Sequence, residues 1–360
     1  MRAFVTSVSG TGNLGSWPDA SGQTGLAAGD AICQARARAA GLEPAHGFRA
    51  WLSDSSDDAY CRIHGLSGKK AALCGQATLP VDAGPWVRTD GYPFAPKLVD
   101  MLAPRFGVYT PARFDEMGNE IPGTARYFTG TLETGEGQSY FCGDWTIGDG
   151  SSVGWSGRTS WTGSVWTVWS GTISGKECGA PSRLLCLEIG PGAPLPPFTE
   201  SGLAVFVTST SQQVAASGSA SAESAVTAGD AICQALALGA ALAHADRFKA
   251  WLSTPATPAA ERLTNDGPWL RLDGVRVAAS KADLVAGKPV FSPINLTETG
   301  EYMHGAVTIG FVQTSATCGD PTNNNQGVAV AGDAMDTETW ASGLGVGCSG
   351  SGNRLYCFED

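Results

Sequence analysis

The hydrophobic and polar positions of the chain follow the same order twice. Each copy begins with a short β-branched and aromatic run, which predicts a strand, and continues into a Gly- and Ser-rich loop. An Ala- and Leu-rich stretch then predicts one long helix, over about residues 25–41 and again over about 224–242. Alternation at 48–53 and 248–253 predicts a further strand, and short strands between Gly, Asn and Asp turns fill the remainder. The pattern predicts an α+β fold in each copy.

Identical segments show that the two halves are homologous. Seven consecutive residues, Gly29–Ala35, recur unchanged at Gly229–Ala235, and further blocks recur in the same order. Those blocks begin at Phe4, Phe48, Gly84, Cys142 and Arg183 in the first copy and at Phe206, Phe248, Gly267, Cys318 and Arg354 in the second. We therefore predict a first domain over 1–189, a Pro-rich linker over 190–202 and a second domain over 203–360.

The charge balance narrows the classes of partner. The chain carries 23 Lys and Arg against 34 Asp and Glu, a formal net charge of −11, and has no basic run. Such a surface repels polyanions, so we predict no nucleic-acid partner. No stretch reaches the roughly 18 consecutive apolar residues of a membrane span, so we predict none. The start, Met1–Ser7, lacks the apolar segment of a signal peptide, so we expect a leader outside this sequence or a longer parent polypeptide.

The cysteines indicate an oxidising, extracellular setting. There are ten, and none forms a Cys-x-x-Cys pair. Four are equivalent in the two copies: Cys33, Cys142, Cys178 and Cys186 correspond to Cys233, Cys318, Cys348 and Cys357. Four cysteines allow three pairings, and the sequence does not choose among them. We favour the nested pairing, which ties each long helix to the last strand and is made of Cys33–Cys186 around Cys142–Cys178 and of Cys233–Cys357 around Cys318–Cys348.

Two further cysteines, Cys61 and Cys74, belong to the first copy alone. The offset between the copies falls from 200 residues at Trp51 to 183 residues at Trp86, so the first copy has 17 additional residues there. An insertion that carries its own two cysteines predicts a self-contained disulfide loop. The alternative is a zinc site at Cys61-x-x-His64 with Cys74, although zinc sites favour closer Cys and His pairs.

Three blocks of the sequence resemble a known family. They are Phe48–Ser53 after a helix that carries Cys33, Cys142–Trp145, and the segment from Cys178 to Glu188. Together they resemble the endostatin-like branch of the C-type lectin-like fold, as bacterial surface proteins use it in tandem. The resemblance implies two nested disulfides in each domain, a mixed α+β fold and export. The sequence lacks the Glu-Pro-Asn, Gln-Pro-Asp and Trp-Asn-Asp motifs of calcium-dependent sugar binding and the clustered arginines and His-rich start of endostatin.

Acidic and glycine-rich loops suggest metal binding or catalysis, but the spacing of their residues does not match the motifs of either. Oxygen-rich loops, among them the one with Asp144 and Asp149, predict at most a structural calcium, because no EF-hand spacing is present. Asp30 and Asp230 recur inside the helix, where we expect a hydrogen bond to a neighbouring loop. There is no Gly-x-Ser-x-Gly motif and no histidine position that both copies share. We therefore predict no cofactor and no enzyme activity.

Tryptophans provide the candidate binding residues. Five crowd one Gly-, Ser- and Thr-rich stretch of the first copy, whereas the second copy has only Trp340 in the matching stretch. We expect Trp340 to correspond to Trp166 in the core. The surplus residues are predicted to present aromatic faces to a ligand, and they are Trp145, Trp155, Trp161 and Trp169.

These observations predict a secreted or cell-surface binding or adhesion module, non-enzymatic, whose partner is a glycan or a surface protein. The alternative is a structural subunit that forms homo-oligomers, a fibre or a coat through edge strands such as Phe4–Ser7.

Overall fold

The computed structural model divides the chain into two compact units, Met1–Pro196 and Pro197–Asp360. We refer to them as unit 1 and unit 2 and describe each by itself. The structure describes the whole chain except residues 43–46, 169–174, 212–221, 255, 286–287, 304–307, 311–327, 342–343 and 348–353. Both units combine few helices with several small sheets, which is the α+β class that the sequence predicts.

Unit 1 is built around a seven-stranded sheet and one long helix. The helices are α1 (Gly25–Ala39), α2 (Ala59–Ile63), α3 (Leu98–Met101) and α4 (Cys142–Trp145). The strands are β1 (Arg2–Val5), β2 (Phe48–Ala50), β3 (Trp86–Arg88), β4 (Pro93–Ala95), β5 (Arg126–Phe128), β6 (Val153–Gly154), β7 (Ser156–Arg158), β8 (Lys176–Glu177) and β9 (Arg183–Glu188). The main sheet has the order β4-β3-β1-β9-β5-β7, and β2 also pairs with β9; β6 and β8 form a separate pair.

Unit 2 repeats the central part of this architecture. Its long helix is α5 (Ala222–Gly239), and its strands are β10 (Leu203–Val207), β11 (Phe248–Ala250), β12 (Trp269–Arg271), β13 (Arg276–Ala278), β14 (Thr308–Gly310), β15 (Val328–Asp333), β16 (Leu344–Gly347) and β17 (Tyr356–Glu359). One sheet has the order β11-β17-β10-β12-β13, and β14, β15 and β16 form a second. In both units the first strand pairs parallel to the Trp86 or Trp269 strand and antiparallel to the last strand.

The first strand of each unit lies inside its sheet rather than at an edge. β1 pairs with β3 on one side and with β9 on the other, and its last three residues are buried. The prediction that Phe4–Ser7 is an edge strand is therefore wrong. Because both sides of the strand are already hydrogen-bonded, it has no free edge through which a second copy could pair.

Matching tryptophans fill the core in both units. The indole N–H of Trp86 donates to the carbonyl of Glu188 at 2.8 Å, and Trp269 donates to Glu359 at 2.9 Å. The rings of Trp51 and Trp166 lie 5.2 Å apart, and those of Trp251 and Trp340 lie 5.1 Å apart. The expected correspondence between Trp166 and Trp340 is therefore confirmed.

Disulfides tie the long helix to the last strand in both units. Cys33 bonds Cys186 across 153 residues, and Cys233 bonds Cys357 across 124 residues. Cys142 bonds Cys178, which completes the nested pairing that we favour in unit 1. Cys61 bonds Cys74, so the insertion closes its own loop and these two cysteines are disulfide-bonded rather than zinc ligands. Cys318 and Cys348 lie outside the described residues.

A half-buried carboxylate joins the helix to the neighbouring strand and loop. Asp30 accepts from the Ala50 backbone N–H at 3.1 Å and from the guanidinium of Arg62. In unit 2, Asp230 accepts from Ala250 at 2.8 Å and from Arg262 at 2.6 Å. The expected role of Asp30 and Asp230 as hydrogen-bond acceptors inside the helix is therefore confirmed.

Close helix–strand packing explains why glycine precedes this aspartate in both copies. A Cβ atom on Gly29 would lie 2.8 Å from Leu52 Cδ1, and one on Gly229 would lie 2.5 Å from Leu252 Cδ1. Glycine therefore allows a closer approach of the helix than a larger residue would without a shift of the leucine side chain.

Asp360 follows the last strand of unit 2 and links it to a neighbouring loop. This contact makes the stability of unit 2 depend on pH. Burial opposes ionisation of this carboxyl, but hydrogen bonds from Lys249, Asn265 and Thr264 outweigh burial and lower its pKa to about 2. A carboxyl with a lowered pKa stabilises the fold above its unfolded pKa of about 4, and this stabilisation is lost as the pH falls towards 2.

We therefore expect Asp360→Asn to lower the free energy of unfolding of unit 2 at pH 7. The difference from the wild type should shrink between pH 4 and pH 2, because the wild-type carboxyl is protonated there as well. Denaturant unfolding of both proteins at pH 7, 4 and 2.5 measures it. A difference that stays constant over this range would show that the carboxylate charge is not what stabilises the contact.

Candidate functional site

Two loops of unit 1 are held together beside the end of β2. The hydroxyls of Ser53 and Thr131 lie 2.8 Å apart, and the buried Asp58 carboxylate accepts from the Gly137 backbone N–H at 2.9 Å. The exposed Ser55 donates to Asp144 through its backbone N–H at 3.0 Å and through its hydroxyl at 2.8 Å. These bonds fix segment 137–144 against segment 53–58, so side chains on the two loops keep defined positions.

Tyr140, on the second of these loops, forms an aromatic pair with Trp155, which lies between β6 and β7. The rings of Tyr140 and Trp155 lie 4.9 Å apart in an edge-to-face arrangement at 82°. Tyr140 is 42% exposed and Trp155 is partly exposed. Their neighbours Gln138 and Ser139 are exposed and polar. We call Tyr140 and Trp155 the aromatic platform.

Backbone bonds hold the aromatic platform in place. The Trp155 indole N–H donates to the Gln138 carbonyl at 3.1 Å, and its backbone N–H donates to Tyr140 at 3.0 Å. The Trp155 carbonyl in turn accepts from Thr129 at 2.9 Å. With its indole N–H and its backbone both bonded, Trp155 loses little conformational entropy when a ligand binds.

Trp145 does not belong to the exposed aromatic residues. It is completely buried, packs against Phe128 at 5.5 Å between ring centroids, and donates from its indole N–H to the Ser53 carbonyl at 2.8 Å. The prediction that Trp145 presents a face to a ligand is wrong. Its position directly after Gly143 and Asp144, both with positive φ, turns the ring inward to the core.

Trp161 is also largely buried, with 9% of its surface exposed. The guanidinium of Arg158 lies 5.9 Å from its ring centroid. Its ring face is therefore covered by the fold, and the prediction of an exposed aromatic face at Trp161 is wrong. Of the four predicted residues, Trp155 alone lies at the surface in the described part of the chain, because Trp169 falls outside it.

The two carboxylates proposed for calcium are occupied by separate local bonds. Asp144 accepts from Ser55, whereas Asp149 accepts from the Ser151 backbone N–H at 2.9 Å and from its hydroxyl. Among the residues that the structure describes, no three His, Cys, Asp or Glu side chains gather where they would hold a metal ion. Calcium needs six to eight converging oxygens. The described residues do not bring Asp144 and Asp149 into such a set.

A lysine stands in the other acidic loop of this region. The Lys69 ammonium donates to the Asp54 carbonyl at 2.7 Å and to Asp58 Oδ1 at 3.1 Å. Asp54 also accepts from the Ser56 and Asp57 backbone N–H groups at 2.8 and 2.7 Å. The Lys69 ammonium thus places a positive charge of the protein itself beside the carboxylates of this acidic loop. Lys69 belongs to the insertion of unit 1, which links the insertion to the site.

Sequence reasoning identified Trp155 but missed Tyr140. The partner ring lies two residues before Cys142, in Gln138-Ser139-Tyr140, and its only sequence signal is an aromatic residue in a polar turn.

No protein-family model matches the chain, and no curated protein matches it. Within the described part of the chain, no helix is both long and apolar enough to cross a lipid bilayer.

Proposed function

We propose that the chain is an extracellular, non-enzymatic binding protein that recognises a glycan through the aromatic platform of unit 1. The observation that carries the proposal is the edge-to-face pair of Tyr140 and Trp155 at the surface of a polar loop. Aromatic rings with one polar edge are suited to the apolar face and hydroxyl rim of a sugar ring. A protein partner is the alternative occupant.

The fold that we propose for both units is the endostatin-like branch of the C-type lectin-like fold. The nested disulfides of unit 1 and the repeated order of first, Trp-containing and last strands support this assignment. The four disulfides formed by described cysteines support an extracellular setting, because such bonds persist in oxidising compartments.

Rigid support for the aromatic platform favours a binding role over simple packing. A side chain that served only the core would be buried, as Trp145 is, whereas Trp155 is fixed by hydrogen bonds and still partly exposed. Tyr140 makes its ring contact with Trp155 and leaves 42% of its own surface in solvent. Preorganised aromatic anchors of this kind often dominate the binding energy of an interface.

Substitution of Trp155 tests the proposal. On a glycan array, we expect the wild-type chain to bind a defined set of glycans and Trp155→Ala to bind them at least about tenfold more weakly, because the main contact surface is removed. Met117→Ala is the matched control, since Met117 is a 62% exposed apolar side chain in a different turn of unit 1, between Asp115 and Asn119.

Tyr140→Ala should weaken the same glycans, whereas Tyr140→Phe should retain them, because the ring contact with Trp155 persists without the hydroxyl. Unchanged glycan binding by Trp155→Ala would contradict the aromatic platform. Binding to no glycan, together with a protein ligand whose affinity depends on Trp155, would replace the glycan by a protein partner.

A further inference from the structure

One buried carboxylate connects the insertion of unit 1 to the loop that carries Tyr140. Asp58 is only 2% exposed. Its Oδ1 atom accepts from the Gly137 backbone N–H at 2.9 Å and from the Lys69 ammonium at 3.1 Å. Its Oδ2 atom accepts from the Lys70 backbone N–H at 2.8 Å. The carboxylate therefore bridges two segments that are remote in sequence, and each of its oxygens is needed for the bridge.

The insertion supplies both lysines. Arg62 and Arg262 are equivalent, because each pairs with the aspartate of its long helix. The offset between the copies is therefore still 200 residues at Arg62, and it has fallen to 183 residues at Gly84. Between these two points unit 1 has the 21 residues 63–83, whereas unit 2 has only the four residues 263–266. The lysines that hold Asp58 lie within this enlarged segment.

Unit 2 has a proline in place of Asp58. The Ala59 backbone N–H donates to the Ser53 hydroxyl at 2.8 Å, and the equivalent bond from Ala259 in unit 2 measures 3.0 Å. The two segments are thus in register, and the residue before Ala259 is Pro258. The fold that both units share therefore does not depend on this carboxylate, which accompanies the insertion.

The insertion holds the approach to the Tyr140 loop at a second place. The Lys70 ammonium donates to the Thr134 carbonyl at 2.6 Å and lies 4.7 Å from the centroid of the Tyr60 ring. The Tyr60 backbone N–H donates to the Gly135 carbonyl at 3.1 Å. Segment 134–137 is thus bonded at three of its four residues by groups from segment 58–70.

Gly137 directly precedes the residue that orients Trp155. The Gln138 carbonyl accepts from the Trp155 indole N–H at 3.1 Å, and the Tyr140 carbonyl accepts from its backbone N–H at 3.0 Å. Glycine has more backbone freedom than any other residue, so the bond from Gly137 to Asp58 restrains the most flexible position of this loop. Because one peptide group separates the Gly137 N–H from the Gln138 carbonyl, a shift of Gly137 moves the acceptor of the indole.

We propose that Asp58 is a positioning residue of the aromatic platform and that the insertion, which holds Asp58 through Lys69 and Lys70, sets the affinity for a glycan. Asp58 acts through Gly137 and the Gln138 carbonyl. A ring that is already ordered loses less conformational entropy when a ligand binds. The effect on affinity rests on the proposed function, whereas the positioning of Trp155 does not.

Hydrogen exchange of the Trp155 indole N–H tests the positioning without a ligand. In Asp58→Asn one acceptor oxygen becomes an NH₂ donor, so the side chain no longer accepts from both Gly137 and Lys70. We expect the Trp155 indole N–H to exchange with solvent at least about threefold faster in this variant, because its acceptor is less restrained. The full chain is followed by ¹H–¹⁵N NMR, with Trp155 assigned through Trp155→Phe.

Asp57→Asn is the matched control. It makes the same change of charge at the neighbouring residue, but the Asp57 carboxylate accepts from Gly68 inside the insertion rather than from Gly137. Asp57→Asn should leave the exchange of Trp155 unchanged. The indole resonances of the core residues Trp51 and Trp86 report whether each variant keeps the fold.

Lys69→Met provides a second variant that keeps the Asp58 carboxylate. The Lys69 side chain is 34% exposed, and its loss removes the counter-ion of Asp58. It should accelerate the exchange of Trp155 in the same direction. Should Asp58→Asn shift Trp51 and Trp86, Lys69→Met decides the positioning role in its place.

Affinity is measured by titration of methyl β-D-galactoside, a sugar with one apolar C–H face that suits an aromatic ring. We expect Asp58→Asn to weaken its binding about fivefold, because Trp155 must then be ordered on binding. In Trp155→Phe, which lacks the indole N–H, the same substitution should weaken binding less than about twofold, since two residues that act through one contact are not additive.

The outcomes separate this proposal from the glycan function. Wild-type exchange of Trp155 in Asp58→Asn, or equal acceleration in Asp57→Asn, would overturn the positioning role. Faster exchange with unchanged galactoside affinity would overturn the control of affinity by the insertion. Faster exchange in a chain that binds neither the galactoside nor any glycan of the array would overturn the glycan function and leave the positioning of Trp155 by Asp58 supported.

Discussion

Removal of the Cys33–Cys186 disulfide by the double substitution Cys33→Ala and Cys186→Ala is expected to lower the free energy of unfolding of unit 1 by about 5 kcal/mol. The bond closes a segment of 153 residues and joins α1 to β9, the strand that pairs with β1, β2 and β5. In the chain-entropy model the stabilisation grows with the logarithm of this length. Hydrogen exchange of peptides from β9 measures the change, and β17 of unit 2 serves as the internal reference.

The insertion offers the matched control. Cys61 and Cys74 are only 13 residues apart, so their removal by Cys61→Ala and Cys74→Ala should cost about 3 kcal/mol. The Cys233–Cys357 bond spans 124 residues and should match Cys33–Cys186 when its loss is measured on β17. Equal losses for the short and the long bond in unit 1 would contradict the loop-closure explanation.

Substitution of Arg62 by methionine is expected to destabilise unit 1 by about 3–5 kcal/mol, because it leaves the half-buried Asp30 carboxylate without its main counter-ion. Arg62 is 5% exposed and its guanidinium contacts Asp30. Burial already raises the pKa of Asp30 above its ordinary value of 3.8, against the opposing charges of Arg62 and Arg49. Arg49 lies 3.8 Å from the carboxylate and remains in the variant, so the loss should fall at the lower end of this range.

The pH dependence of this loss has a definite sign. Without Arg62 the pKa of Asp30 in the folded protein rises further above its value in the unfolded chain. The folded state then binds more protons, so the defect should be smallest near pH 4 and grow as the pH rises through neutrality. Denaturant unfolding of wild type and Arg62→Met between pH 4 and 8 measures it.

Two further variants act as controls for Arg62→Met. Arg262→Met should destabilise unit 2 by a similar amount, since Arg262 contacts Asp230 at 2.6 Å. Combining Arg62→Met with Asp30→Asn should restore part of the loss, because the amide does not carry the unpaired charge. A double variant less stable than Arg62→Met alone would show that the destabilisation does not arise from a buried charge.

Local sequence patterns were sufficient to predict the elements that both copies share. The Ala-rich helices, the strand at 48–50 and the correspondence of Trp166 with Trp340 follow from periodicity and from the order of identical blocks. Nested pairing was one of three arrangements that the cysteine positions allowed, and the structure has it in unit 1. These features depend on residues close in sequence or on the equivalence of two copies.

The solvent exposure of the individual tryptophans could not be predicted from local sequence patterns. Trp145 and Trp155 lie ten positions apart in one polar stretch, yet the first is buried and the second reaches the surface. Strands in this region are only two or three residues long, and positive-φ residues such as Asp144 interrupt them. Period-two alternation therefore does not persist long enough to assign a face to each ring.

By itself, the sequence determined that the chain contains two homologous, disulfide-bonded α+β units, because repeated blocks, periodicity and cysteine positions are encoded along the chain. Only the tertiary structure decided which side chains from distant segments meet. Tyr140 meets Trp155, and Arg126 meets Arg158, through pairing between segments separated by 15 to 32 residues. Such contacts are set by long-range strand register and loop packing, to which local residue preferences contribute little.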